Sequence, residues 1–111
     1  MLIQKNDYQI LVNEAHLLGD IRKSLKLLDD LGKYFYIKHY KDTDAPHYHI
    51  YFRSSSFDNG LEIQEFFLKN ISAKVYVERV RMGVKPFIMY FLQNGKYKKR
   101  DIKGTLPLSK V

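Results

Sequence analysis

The chain has 111 residues, 45% hydrophobic and 14% aromatic, which suits one packed domain and excludes a disordered or low-complexity tail. Cysteine is absent, so disulfide scaffolds, thiol catalysis and thiolate zinc sites are excluded. Lys and Arg number 19 against 12 Asp and Glu, and the net charge of +7 favours a polyanionic partner, nucleic acid before membrane. We interpret residues 1–111 as a single domain with a basic tail over residues 94–111.

The N-terminal segment does not resemble a leader sequence. It carries Lys5, Asn6 and Asp7 where a signal peptide would need an apolar stretch. The longest apolar runs along the chain are far shorter than a membrane span. We therefore expect a soluble, cytoplasmic protein with no membrane partner.

The first half of the chain predicts three strands and one helix. A β-prone apolar run favours a strand over residues 8–15. Asp20 can cap a helix whose leucines and isoleucine recur at helical spacing until Gly32 ends it. Alternating segments over residues 33–40 and 47–53 then predict two strands joined by a polar turn.

The second half predicts an amphipathic helix around residues 61–68, a strand over residues 73–81 and a helix from Pro86 to Asn94. The basic tail is predicted to be irregular. The order β-α-β-β-α-β-α is typical of an α+β, ferredoxin-like sandwich. In such a fold a central antiparallel sheet carries its helices on one side.

The sharpest local motif is Pro46-His47-Tyr48-His49. Histidines at positions i and i+2 of a strand lie on one face, roughly 7 Å apart at their Cα atoms, and can bind one divalent ion. His39 and Asp42 lie just upstream, and a carboxylate would make a mixed nitrogen and oxygen site suited to Mn or Mg. Two strand histidines are more often structural. Because three histidines cluster around Asp42, we weigh a metal site equally with a purely structural role for these histidines.

A second feature is Tyr90, at the edge of the apolar stripe of the last predicted helix. A tyrosine there can hold its ring against the sheet while its hydroxyl points into a cleft, although most such tyrosines only pack. Gln93, one turn further on the same side, can orient a ligand or phosphate. Tyr97 is a weaker candidate because Gly95 intervenes.

A third feature is the distribution of Lys and Arg side chains among tyrosines. The cations could hold a DNA backbone while the tyrosine rings stack on unpaired bases. The alternative is an ordinary basic surface exposed to solvent. The candidate DNA-binding residues are Lys38, Lys41, Arg53, Arg79, Arg81, Lys85 and Lys96.

Three motifs in order resemble those of the HUH endonucleases: His39-Tyr40-Lys41-Asp42, Pro46-His47-Tyr48-His49-Ile50 and Tyr90-Phe91-Leu92. More narrowly, residues 8–97 resemble the initiator (Rep) proteins of small rolling-circle plasmids and viruses, which carry an H-D-K-D turn, an H-Y-H-V strand and a Y-L-x-H helix. Tyr40 stands in place of the first aspartate of that turn, and Gln93 stands where the plasmid proteins usually have histidine.

The resemblance implies the HUH endonuclease fold and single-tyrosine chemistry. His47, His49 and Asp42 would bind the divalent metal, Mn or Mg, with His39 assisting, and Tyr90 would be the nucleophile. The protein would nick single-stranded DNA at an origin or genome end, leaving a 5′-phosphotyrosine and a free 3′-OH, and would rejoin strands. Single-tyrosine enzymes that cleave twice often act as homodimers. The chain would be a compact viral-type Rep or the nuclease domain of a longer one.

Two alternatives remain open. The first is a non-catalytic module that binds single-stranded nucleic acid through charge and aromatic rings, with structural histidines and salt-sensitive binding that needs no metal. The second is an HUH-type transposase with the same chemistry, which joins two DNA ends as a dimer. The insertion-sequence enzymes also carry a glutamine near the tyrosine, one residue further along.

Overall fold

The structure is a computed structural model that describes residues 6–16, 21–41, 43–81 and 84–108. Its five strands are β1 (Asp7–Asn13), β2 (Gly32–His39), β3 (His47–Ser54), β4 (Tyr76–Arg79) and β5 (Lys103–Gly104). Its three α-helices are α1 (Ile21–Leu28), α2 (Gly60–Ile71) and α3 (Val84–Phe91), and short 3-10 turns occupy Glu14–His16 and Lys99–Asp101. The α+β class predicted from the sequence is confirmed.

The five strands form one antiparallel sheet in the order β4-β1-β3-β2-β5. β1 and β3 occupy the centre, where Ile10 pairs with Ile50. β2 and β3 form a hairpin in which His39 lies directly opposite His47. This register sets the positions of the histidines singled out above.

Helices α1 and α2 cover one face of the sheet because each has an apolar stripe. Ile21, Leu25 and Leu28 of α1 and Ile63 and Phe67 of α2 are buried. They pack against one side of the strands, including Tyr8, Ile10, Val12, Ile50 and Phe52. The Asn59 side chain caps α2 by accepting a hydrogen bond from the Glu62 amide at 3.0 Å.

Helix α3 covers the opposite face, where its Phe87 and Phe91 pack with Phe35, Ile37 and Tyr51. The expectation that all helices lie on one side of the sheet is therefore wrong for α3. The physical reason is that β3 presents large side chains on both faces, so both faces need cover.

The C-terminal segment was expected to be irregular, and it instead contributes to the fold. Tyr97 and Leu106 are buried in the α3-side core. β5 pairs with β2 at the sheet edge, where Gly104 has φ 145° and a Cβ atom would collide with the Tyr34 carbonyl oxygen.

Element ends differ from the predictions by a few residues. β4 is shorter than the predicted 73–81, and Ala73, Val75 and Val80 are buried on either side of it. The Asp20 cap predicted for α1 lies outside the described residues. In the described part of the chain, no helix has the length and apolarity needed to cross a membrane.

Candidate active site

Three imidazoles meet at one end of the β2–β3 hairpin, on the face covered by α3. The ring centroids of His39 and His49 lie 4.5 Å apart, those of His47 and His49 4.9 Å, and those of His39 and His47 5.4 Å. Each ring offers a nitrogen, and the three nitrogens lie within 4.8 Å of one another. The structure thus brings together the three histidines selected from the sequence.

His47 is held in the tautomer that a metal ligand needs. Its Nδ1 atom lies 2.9 Å from the Ala45 carbonyl oxygen, and because a carbonyl only accepts, Nδ1 carries the proton. The lone pair is therefore on Nε2. The Ala45 amide in turn donates to Thr43 Oγ1 at 3.1 Å, which shapes the turn before β3. A backbone partner on the other ring nitrogen is the usual way that metal-binding histidines are oriented.

His39 is buried, and both of its ring nitrogens have partners. Nε2 donates to the Phe91 carbonyl oxygen at 2.6 Å, so Nδ1 carries the lone pair and accepts from Gln93 Nε2 at 3.2 Å. The Tyr97 ring stacks on the imidazole at 5.0 Å. Burial lowers the pKa of His39, with a smaller opposing effect from the Phe91 hydrogen bond. This ring is firmly placed, but the Gln93 amide covers its lone pair.

His49 is also buried. Burial first, and then the neighbouring His39 and His47 rings, lower its pKa to about 3. The imidazole is therefore neutral at physiological pH and keeps a nitrogen lone pair. The described residues offer its ring nitrogens no hydrogen-bond partner. A ring of this kind is suited to binding a cation that has shed part of its hydration shell.

Tyr90 stands beside this cluster on α3. Its ring centroid lies 5.3 Å from that of His49, at an interplanar angle of 85°, and 47% of the residue is exposed. Burial of the ring, and then the Glu78 carboxylate, raise the pKa of the phenol. The hydroxyl is consequently protonated at neutral pH and needs help to act as a nucleophile.

Two cavities flank the Tyr90 ring. The first, of about 390 Å³, is lined by Lys41, Thr43, His47, Met89, Tyr90, Gln93, Asn94 and Lys96. The second, of about 280 Å³, is lined by Gln9, Ile10, Leu11, His49, Tyr76, Glu78 and Tyr90. His47 and His49, which we call the HxH pair, are divided between them: His47 lines the larger cavity and His49 the smaller one. The two cavities also differ in the charge of the side chains that line them.

Two of the predicted cations lie at the site. Lys41 and Lys96 line the larger cavity, and the Lys41 ammonium donates to the Lys96 carbonyl oxygen at 3.0 Å. Lys41 also lies over the Tyr97 ring, 5.0 Å from its centroid. Arg81 and Lys85 are exposed, after β4 and at the start of α3.

The other three predicted cations have partners elsewhere. Lys38 points to the opposite face of the sheet, where it pairs with Glu14 at 3.2 Å. Arg79 also lies on that face, donating to the Asp58 carbonyl oxygen at 2.9 Å. Arg53 is at the far end of β3 in an ion pair with the buried Asp7 carboxylate at 2.9 Å.

Tyr97 is a structural residue here. It is buried, and its hydroxyl oxygen accepts hydrogen bonds from the Tyr40 and Lys41 amides, both at 2.8 Å. The residue fixes the turn that leads into Asp42, and Asp42 itself lies outside the described residues.

Sequence reasoning did not select Gln9, Tyr76 or Glu78, which line the smaller cavity with Tyr90. The signal that could have found them is the period-two alternation of β1 and β4. It places Gln9 and Glu78 on the same sheet face as the HxH pair, at positions where an apolar residue would be expected.

The cluster His39-His47-His49 can hold a metal ion. The fit rests on the chemistry of the donors: His47 presents a free Nε2, His49 is neutral, and Nδ1 of His39 becomes available when Gln93 moves. No family model matches the sequence, and neither does any curated protein.

Proposed function

We propose that this chain nicks and rejoins single-stranded DNA by metal-assisted tyrosine transesterification, in the manner of the HUH replication initiators that its motifs resemble. The observation that carries the proposal is the juxtaposition of three clustered imidazoles with the Tyr90 ring on the neighbouring helix. A nucleophilic side chain beside a cation site suits phosphodiester transesterification through a covalent intermediate.

The fold supports the same proposal. The strand order β4-β1-β3-β2, with every neighbouring pair antiparallel, is consistent with a ferredoxin-like arrangement of the HUH type. Such a sheet places the HxH strand in its centre and leaves one face to the helix that carries the tyrosine.

The donor set favours a first-row transition ion such as Mn²⁺ over Mg²⁺, because imidazole nitrogen is a poor ligand for magnesium. His47 and His49 would hold the ion, with His39 and the proposed ligand Asp42 completing the site. When bound, the ion would polarise the scissile phosphate and offset the negative charge that develops on it.

The reaction itself is assigned to Tyr90. The phenol oxygen attacks the phosphorus and loses its proton, and the bond from phosphorus to the 3′-oxygen breaks. The leaving 3′-oxygen accepts a proton, so the products are a 5′-phosphotyrosine and a free 3′-OH. The energy of the phosphodiester is kept in the new ester, so the 3′-OH can reverse the step. Lys41 and Lys96, beside the larger cavity, would hold the flanking phosphates.

A denaturing gel tests the proposal. Protein is incubated with a labelled pool of randomised single-stranded DNA, with Mn²⁺ or with EDTA. We expect a protein-linked band that requires the metal and disappears in Tyr90→Phe. Tyr40→Phe is the matched control because Tyr40 is also an exposed tyrosine. A band that survives in Tyr90→Phe would contradict the assignment of the nucleophile.

A second candidate is a single-stranded DNA-binding module without catalysis. The specific observation in its favour is that protein groups occupy both ring nitrogens of His39. If the protein only binds DNA, the DNA should be retarded on a native gel. The affinity of the protein for DNA should then be equal in Mn²⁺ and in EDTA, and no covalent band should form.

A further inference from the structure

The smaller cavity beside Tyr90 lies at the edge of the sheet, where the edge strand β4 pairs with β1. Glu78 of β4 pairs in register with Gln9 of β1, and Tyr76 pairs with Leu11. Leu11 in turn pairs with His49 of β3. Directly opposed residues on antiparallel strands share a face, so these side chains all project to the side of Tyr90.

The charge of this cavity is opposite to that of its neighbour. None of the described residues that line it is a lysine or an arginine, and it contains the Glu78 carboxylate together with the neutral His49. The larger cavity contains Lys41 and Lys96. A phosphate entering the smaller cavity would be repelled by Glu78, whereas a neutral group that donates hydrogen bonds would be attracted.

The walls of the cavity suit a flat ring. Tyr76 is 52% exposed and Tyr90 47% exposed, so both present ring surface to solvent, while Leu11 adds an apolar side. The volume of about 280 Å³ is near the lower end of small-molecule pockets. Unpaired nucleobases stack on tyrosine rings in this way, since every base has a π-face.

Two polar side chains of the cavity, Gln9 and Glu78, can distinguish one base from another by hydrogen bonding. Gln9 Nε2 donates to Glu78 Oε2 at 3.2 Å, which orients the carboxylate and leaves Oε1 to accept from a ligand. A carboxylate has no hydrogen to donate, so it favours a ligand N–H that is not flanked by acceptors on both sides. Thymine N3–H lies between two carbonyl oxygens that a carboxylate repels, so the matching group is an exocyclic amino group. Cytosine N4, adenine N6 and guanine N2 are amino groups, and thymine has none.

We propose that this cavity binds one unpaired nucleobase of the DNA, that Glu78 selects a base with an exocyclic amino group over thymine, and that Tyr76 stacks on it. This base site rests on the proposed function. Because Tyr90 lines both cavities, the bound base would lie next to the phosphate that Tyr90 attacks. Tyr90 would then stand between a base site and a phosphate site.

The test separates base selection from catalysis. A randomised single-stranded DNA pool is bound to the protein in EDTA, where no metal-dependent cleavage occurs, and the retained sequences are determined. A selected oligonucleotide is then compared with its single thymine substitutions by fluorescence anisotropy. The proteins are the wild type, Glu78→Gln and Glu65→Gln, the last an exposed glutamate on α2 as the matched control.

We expect one position at which thymine weakens binding to the wild type and to Glu65→Gln by at least about fivefold. In Glu78→Gln this discrimination is expected to fall below about twofold, with a thermal unfolding midpoint close to that of the wild type. Tyr76→Ala should weaken binding of every sequence while keeping the preference.

Discrimination that persists in Glu78→Gln, or a pool in which no position disfavours thymine, would overturn the base-site proposal. If a Mn²⁺-dependent covalent band forms while Glu78→Gln keeps the wild-type preference, the base site is wrong and the nicking function stands. If Glu78→Gln loses the preference and no covalent band forms, the base site stands and the nicking function is wrong.

Discussion

The Nδ1 atom of His39 accepts a hydrogen bond from the side-chain amide of Gln93 at 3.2 Å. Because Nε2 of the same ring donates to the Phe91 carbonyl oxygen, Nδ1 holds the ring's lone pair. Gln93 would therefore compete for His39 with a metal ion bound at the histidine cluster. A supporting residue would bond instead to the nitrogen that faces away from the metal.

Removing this competition should tighten metal binding. Gln93→Ala deletes a hydrogen bond worth about 1 kcal/mol, so we expect Mn²⁺ to bind about fivefold more tightly by isothermal titration calorimetry. Met89→Ala, at an exposed residue of the same cavity that offers no donor, should leave the affinity unchanged. Weaker binding by Gln93→Ala would mean that the amide supports the site.

The two faces of the sheet give a matched test of the lysines proposed to bind DNA. Lys41 lines the larger cavity beside Tyr90, whereas Lys38 lies on the opposite face in contact with Glu14. We expect Lys41→Ala to weaken single-stranded DNA binding and to reduce the slope of log K against log salt by about 0.7. Lys38→Ala should leave that slope unchanged. Equal slopes for both variants would place the DNA elsewhere.

The buried His49 predicts how stability depends on pH in the metal-free protein. Its pKa is about 3 in the folded state, against 6.5 for an ordinary histidine. Between these values the unfolded chain binds more protons, so the free energy of unfolding falls as the pH falls. We expect His49 alone to account for a loss of about 2 kcal/mol between pH 7 and pH 5.

Urea unfolding of the wild type and of His49→Gln, in EDTA at both pH values, measures this contribution. The variant should lose less stability on acidification than the wild type, because glutamine does not titrate. Identical losses in the two proteins would show that His49 is not held neutral by the fold.

The same substitution, tyrosine to phenylalanine, should have different effects on stability at two buried positions. The Tyr51 hydroxyl donates to the buried Asp7 carboxylate, which Arg53 also contacts. The Tyr8 hydroxyl is buried without a hydrogen-bond partner among the described residues. By denaturant titration, Tyr51→Phe should destabilise the fold by about 1.5–3 kcal/mol, and Tyr8→Phe should leave stability unchanged or raise it by up to about 2 kcal/mol. A loss of stability in Tyr8→Phe comparable to that in Tyr51→Phe would contradict this reading.

Much of the histidine cluster could be predicted from the sequence because it depends on local structure. Two alternating runs separated by a short polar turn predict a hairpin, and a hairpin brings His39 opposite His47. His49 then follows on the same face by the period-two rule. The position of Tyr90 beside the cluster depends in addition on which face of the sheet the helix after β4 covers.

The remaining features depend on pairings between distant parts of the chain. Alternation assigns Arg53 to a face, but its partner Asp7 is set by the pairing of β1 with β3. The apolar stripe of α3 is compatible with either face of the sheet, which is why its side was predicted wrongly. The burial of Tyr97 depends on a segment whose basic residues suggested an irregular tail.

The central claim is that Tyr90 forms the covalent bond to DNA, and peptide mapping tests it most directly. Trypsin cleaves after Arg81 and Lys96, and the Lys85-Pro86 bond resists it, so Tyr90 is the one tyrosine in the peptide over residues 82–96. The protein is incubated with the randomised DNA pool and Mn²⁺, treated with nuclease and trypsin, and analysed by mass spectrometry. We expect a nucleotide adduct, linked through its 5′-phosphate, on this peptide that is absent with EDTA. An adduct on a different tyrosine peptide, or none in the presence of Mn²⁺, would contradict it.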